Sequence, residues 1–261
     1  MRLRALYAGN ARAVVFRGFL ASKSSNAVVI VSGFFEPVFY LLSLGLGLGG
    51  LIGSVETSDG VEVPYAAYIA PALLAVAAMN GAIFDSTWNV FFKMKFAKLY
   101  EGMLATALGP LDVALGEITL ALSRGGLYAA SFMLVMQALG LNLAWTAVFA
   151  LPAVLLIAFG FASVGMAITS YLKTFQQMDW ITFVLLPMFL FSATLYPISV
   201  YPQAVQFFIQ AMPLWHGVEL VRGLTTGVLS PVMFIHVLYF AVMIVVGLFF
   251  TTRRLRALFL D

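Results

Sequence analysis

The sequence predicts an all-α integral membrane protein with six transmembrane helices and both termini cytoplasmic. Three observations carry that prediction. The 261 residues are 62% hydrophobic and only 10% charged, against roughly 45–50% apolar and about 25% charged in soluble domains. A mean hydropathy of +1.01 leaves too few polar residues to coat a globule in water. The apolar residues fall into six runs, most of them near the roughly 20 residues needed to cross hydrocarbon, and the basic residues gather on one side of those runs. The absence of cysteine removes disulfides and metal–thiolate chemistry. A net charge of +3 is too small to argue for nucleic acid.

Each element follows from its composition. Residues 1–26 carry Arg2, Arg4, Arg12, Arg17 and Lys23 among Leu3, Leu6, Tyr7, Ala13 and Val14, the pattern of an amphipathic helix lying on the inner membrane surface. It serves either as a topological anchor or as a docking element for a partner. A signal peptide is excluded because the following run is long enough to span. Residues 27–52 form the first span, with Glu36 and Pro37 inside it and Gly45, Gly49 and Gly53 spaced by four for close helix packing. The second span is 65–84. A cytoplasmic stretch, 85–117, interleaves charges with aromatics and breaks at Gly109-Pro110, so one short helix ends near Leu108 and another starts at Pro110. Spans three to five are 118–140, 145–170 and 180–196. Residues 197–230 hold two apolar runs divided by Pro213, each too short to cross, which suggests an outer re-entrant hairpin. The sixth span is 232–251, and all 261 residues form one membrane domain.

With six spans, the N-terminal arginines, Lys93, Lys95, Lys98, Lys173, Arg253, Arg254 and Arg256 all lie inside, and of 14 basic residues only Arg222 is clearly external. Adding or dropping one span would put about half of them on the wrong side. Arg124 sits near the inner end of span three and can snorkel.

Catalytic patterns are sparse. The nearest approach to a nucleotide-binding Walker loop places Ser22 where a glycine is needed before Lys23. There is no Gly-x-Ser-x-Gly elbow. His216 and His236 are the two histidines, too few for a sequence-level metal site, so the expected metal and catalytic sets are empty. A carboxylate as deep as Glu36 faces a watery path, a subunit contact, or a structural donor such as Arg124 or a serine, and Pro37 favours a bend beside it.

Five stretches stand in a telling order: Glu36-Pro37 through Leu42 followed by Gly45, Gly47 and Gly49; Tyr68 to Leu74 around Pro71; Tyr100 to Thr106 followed by Asp112 to Glu117; Phe191 to Pro197; and Pro213 to Arg222. Together they resemble the type-2 ABC exporter permeases, in particular the branch of nodulation-factor and daunorubicin/doxorubicin-resistance exporters. Ala107 stands where that family's link carries a proline.

The resemblance implies a coupling helix near Tyr100, Glu101, Met103 and Leu104, with an N-terminal interface helix carrying Arg4, Arg12 and Arg17 alongside. It places Tyr196, Pro197, Pro213, His216, Glu219 and Arg222 in the outer re-entrant segment. It also implies two ATP-binding subunits that hold ATP and Mg, no cofactor in this chain, and a second permease, identical or paralogous. The expected function is export of an amphipathic or hydrophobic substrate across the inner membrane. The alternatives are a lipid-headgroup enzyme using Asp85, Glu117, His216 or Glu219, and a secondary transporter. The first would need those groups on one side, and the second would need repeats or several polar residues within the spans.

Overall fold

The structure is a computed structural model and describes residues 9–22, 35, 38–57 and 60–260. The described chain is mostly helical. In order it forms α1 (Ala11–Ser22), α2 (Val38–Ile52), a hairpin of β1 (Ser54–Glu56) and β2 (Glu62–Pro64), α3 (Tyr65–Lys95) and α4 (Leu99–Leu104). There follow α5 (Pro110–Ala138), α6 (Trp145–Tyr171) and α7 (Phe175–Phe191), α8 (Gln203–Ala211), α9 (Pro213–Thr226) and α10 (Met233–Phe259).

Among the described residues, α3, α5, α6 and α10 are long and apolar enough to cross a membrane. Two expected spans are shorter here. The described part of the first is α2, and α7 has 17 residues, about 25 Å of helix against roughly 30 Å of hydrocarbon. The fifth span was expected to reach Tyr196, but the helix stops at Phe191. Thr194 Oγ1 donates to the Phe189 carbonyl at 2.6 Å, and Ala193 enters the left-handed region at φ 54°. The helix that begins at Pro110, where the Gly109-Pro110 break predicts a start, runs unbroken into the third span and ends at Ala138, with Gly109 at its N-cap and Pro110 in its first turn. An all-α chain is also not what forms between spans one and two. Ser54, Val55 and Glu56 pair antiparallel with Pro64, Val63 and Glu62, an alternation too short to read from sequence.

The bundle is organised around α3. Its central stretch is 78% buried, whereas that of α10 is only 17% buried. α3 is packed on by α2, α5, α6 and α9, while α10 lies along α6 at the periphery. A helix that is apolar all round fits the first position, and an exposed apolar face such as that of α10 needs lipid. Small residues let α3 be surrounded: Ala67, Ala70, Ala72, Ala75, Ala78 and Ala82 are all buried.

Close glycine packing occurs elsewhere than the four-residue spacing suggested. Gly45 does approach α3, where an added Cβ would lie 3.3 Å from Ala66 Cβ, but among the described residues no other element comes within 4 Å of a Cβ built on Gly49, and Gly53 occupies a positive-φ turn. The tightest backbone approach joins α6 and α10. A Cβ on Gly247 would stand 2.5 Å from the Ser163 carbonyl carbon and 2.8 Å from its oxygen. Backbone cannot yield as a side chain can, so Gly247→Ala should destabilise the chain by about 1–3 kcal/mol in a denaturing-detergent titration. Gly49→Ala should stay within about 0.5 kcal/mol of wild type.

Candidate functional site

Two polar assemblies stand at opposite ends of the bundle. At the basic end, α3 stops where the chain reverses through Lys98, held at φ 47°, and α4 begins at once. Tyr100, Met103 and Leu104 are buried in the chain's own core, while Glu101 is exposed. The expected coupling residues therefore divide: three seat the short helix and one faces outward. Thr106 Oγ1 donates to the Met103 carbonyl at 2.6 Å and closes the turn after α4.

Asp112 joins this link to α1. It is fully buried and accepts two backbone N–H bonds at 2.9 Å, from Gly109 at the start of α5 and from Asn10 just before α1. The Asn10 side chain reaches back to the Ala107 carbonyl at 3.4 Å. The charge also suits the N-terminus of α5. One turn along, Gly116 lets α1 lie flat, since a Cβ there would meet Val14 at 2.5 Å. Val14 is buried, whereas Arg12, Phe16, Phe19 and Leu20 are exposed, so α1 has one face on α5 and an outer face that is apolar with a cation. Arg4 lies outside the described residues.

Glu117 is the second node. It is buried, accepts from Lys93 Nζ of α3 at 2.5 Å, and lies 3.6 Å from Arg17 of α1. Its Oε1, Arg17 Nε and the Tyr100 hydroxyl are buried without hydrogen-bond partners among the described residues. Burial, reinforced by the nearby Glu117 charge, pushes the Tyr100 phenol well above its ordinary range, so it stays neutral at all working pH values. Lys93, read from sequence only as one of the inside cations, is thus engaged within the chain, while Lys95 and Lys98 remain exposed.

At the opposite end, Arg222 of α9 is 3% exposed. Its guanidinium lies over the Tyr68 ring at 3.9 Å and donates to the Ala193 carbonyl at 2.9 Å, the Tyr68 carbonyl at 3.4 Å, and Glu219. The arginine read as the one external cation therefore ties α9 to α3 and to the chain just after α7. Pro213 opens α9, Pro197 precedes a single turn over Ile198–Val200, and Tyr196 is exposed.

His216 meets His236, Nδ1 to Nδ1 at 2.7 Å, with Tyr239 stacked 4.1 Å away on His216. Sequence reasoning missed this pair because its members lie on different helices. No group of three or more His, Cys, Asp or Glu residues able to hold a metal occurs among the described residues.

Glu36 and Pro37 lie outside the described residues. Arg124, read as a snorkelling residue or a partner for Glu36, pairs with Asp85 at 3.0 Å. Asp85 opens a π-helical turn in α3, Asp85–Asn89, a distortion frequent at functional sites, and Asn89 also donates to it.

Residues 10–226 match the ABC-2 type transporter family. The chain is 31% identical over 245 residues to nodulation protein J of Rhizobium leguminosarum bv. viciae, covering 94% of this chain and 93% of that protein. It is 34% identical over 212 residues to nodulation protein J of Sinorhizobium fredii, covering 80% and 79%. It is 22% identical to nodulation protein J of Azorhizobium caulinodans, covering 90% and 92%. A match across most of the helical bundle, from the first residue that Asp112 holds to the last turn of α9, places this chain in the ABC-2 type transporter family, as a permease of the nodulation protein J branch.

Proposed function

We propose that this chain is the transmembrane subunit of an ATP-driven exporter of amphipathic or hydrophobic molecules in the inner membrane. In this reading it crosses six times, through α2 with the residues before it, then α3, α5, α6, α7 and α10, with both termini cytoplasmic. α8 and α9 form the outer re-entrant hairpin. Arg12, Arg17, Lys95, Lys98, Lys173 and the arginines of α10 then lie on one side, as cytoplasmic loops require. Two ATP-binding subunits that hold ATP and Mg dock there, and a second permease, identical or paralogous, completes the path.

The carrying observation is the seating of α4. It is a six-residue helix whose Tyr100, Met103 and Leu104 are sunk into the bundle and whose Glu101 faces out. A short lever anchored on its inner face passes a push at Glu101 to α3 and α5 instead of absorbing it. Asp112 and Glu117 carry the same displacement to α1, and bundles so joined respond by rigid-body rocking. A lipid-headgroup enzyme fits less well, because Asp85, Glu117 and Glu219 are each paired with a cation.

The test is co-reconstitution with an ABC ATPase subunit whose hydrolysis this chain stimulates. Glu101→Arg should lower permease-dependent ATP hydrolysis roughly tenfold while leaving the melting temperature of the permease unchanged. An unaltered ATPase rate would remove the coupling assignment. Turnover of a lipid substrate by the chain alone would restore the enzyme reading.

A further inference from the structure

The two halves of the α8–α9 hairpin are held very differently. α9 is fixed by Arg222 toward its C-terminal end and lies close on α6 at Gly217, where a Cβ would stand 3.2 Å from Ile157. In α8 only Ile209 is buried, and Phe207 and Phe208 are exposed. The elbow between the two helices, at Met212 and Pro213, is held from α10. His236 and Tyr239 lie three residues apart and so share one face of that helix. The Tyr239 hydroxyl donates to the carbonyl of Ala211, the last residue of α8, at 3.1 Å, and its ring stacks on His216. Nδ1 of His236 meets Nδ1 of His216 at 2.7 Å. Trp215 closes over both imidazoles, ring centroids 5.0 and 5.3 Å away.

We propose that the two histidines are a proton-operated latch between α10 and the hairpin elbow, closed while the pair holds at most one added proton and opened by the second. Nitrogens this close share a proton, so one ring donates and the other accepts. The first added proton sits on the far nitrogen of the donor ring and leaves that bond in place. A second puts an N–H on both facing nitrogens and two like charges side by side. His216 is 7% and His236 4% exposed, so water cannot relieve that repulsion and the rings must part.

The surroundings offset little of it. From α9, Glu219 is the acid whose charge reaches His236, and it is paired with Arg222. From α10 the adjoining titratable group is Tyr239. From α3, Tyr68 lies under Arg222 and Tyr65 donates to the Leu195 carbonyl. α8 has no titratable side chain, and that of α6 is Tyr171 at its far end. Burial, then the neighbouring His236, push the His216 imidazole down to about 4, with the Gln210 carbonyl opposing them. A group held below its ordinary value of about 6.5 takes its proton more readily once released. Acid therefore favours the open elbow from about pH 6 downward, and the gain is complete near about pH 4. With α9 still held at Arg222, α8 is the part that swings. That the hairpin faces outward rests on the topology proposed above; the latch does not.

The chain has no cysteine, so Phe207→Cys on α8 and Val242→Cys on α10, both exposed positions, take spin labels without background. Pulsed distance measurements are made on the full chain in nanodiscs, without any ATPase, from about pH 7.5 to about pH 3.5. A single distance should hold at neutral pH. A second, longer one should then grow, its ratio to the first rising roughly tenfold per pH unit between about pH 6 and about pH 4, the slope of one proton. His236→Gln keeps a hydrogen-bonding side chain that takes no proton and should retain the single distance throughout. Tyr239→Phe removes the second tie and should move the opening up by about one pH unit. A control pair, Val148→Cys with Val242→Cys across the packed α6 and α10, should not move.

One unchanging distance in the wild-type background would overturn the proposal. So would a second distance that His236→Gln also shows, or a control pair that moves with the first. Should His236→Gln fail to fold, His216→Gln makes the same test, and the wild-type slope against the control pair decides without either. Nanodiscs bathe both faces in one buffer, so the outcome is independent of orientation and of coupling through Glu101, and the two readings fail separately.

Discussion

Arg222→Leu should lower the unfolding free energy of the purified chain by about 3–5 kcal/mol, the largest loss expected of any single substitution here. The arginine is 3% exposed and holds two backbone carbonyls, a carboxylate and an aromatic face. Its removal takes one of two hydrogen bonds from the Ala193 carbonyl, which keeps only the longer one from the Tyr68 hydroxyl at 3.3 Å, and takes from Glu219, whose side chain is 13% exposed, the cation it pairs with. Arg222→Lys keeps the charge but not the planar fork, and one ammonium cannot serve groups on α3, α9 and the turn after α7 together. Lysine should therefore recover less than half of the loss. The pair Arg222→Leu with Glu219→Leu should be milder than Arg222→Leu alone, because a largely buried carboxylate that has lost its guanidinium accounts for much of the penalty. Denaturing-detergent titrations of the three variants measure this. A loss below about 1 kcal/mol for Arg222→Leu would mean that the hairpin does not depend on this contact.

What sequence can carry explains why Arg222 was legible only as an external charge. The Gly109-Pro110 break and the division at Pro213 are local, since glycine and proline dictate backbone geometry whatever surrounds them, and α5 and α9 begin at those prolines. The apolar runs are equally local. Arg222 to Tyr68, Arg124 to Asp85 and Asn10 to Asp112 span 154, 39 and 102 residues, and a single sequence carries no trace of which polar groups a bundle will bring together. The same limit explains Met103 and Leu104. Their apolar character suits an exposed subunit contact or a core equally well, and only the packing of α4 on α3 and α5 shows that this chain buries them itself. The glycine spacing misled for the converse reason: a repeat of four marks a helix face, but whether another helix approaches it depends on the rest of the bundle.

Asp112→Ala should have the second-largest effect, about 2–4 kcal/mol of stability together with loss of coupling. Both N–H groups that Asp112 accepts from, those of Gly109 and Asn10, belong to segments leading into helices, and alanine leaves them without that acceptor beside a fully buried site. It also removes the negative charge at the N-terminus of α5. Asp112→Asn keeps one acceptor oxygen, so it should retain about half of the lost stability by keeping one of the two bonds. The distinctive expectation is regional. Because Asp112 holds both the link and the start of α1 through its two 2.9 Å bonds, amide exchange should rise first in α1 and residues 105–110, while α6 and α10, packed on each other, keep wild-type protection. If the reading of α4 as a lever is right, permease-dependent ATP hydrolysis falls in Asp112→Ala under conditions where the bundle is still folded, since a push on Glu101 then no longer reaches α1. Uniform acceleration of exchange across all helices would show that Asp112 supports only global stability. Normal coupling with a detached α1 would show that α1 takes no part in transmission.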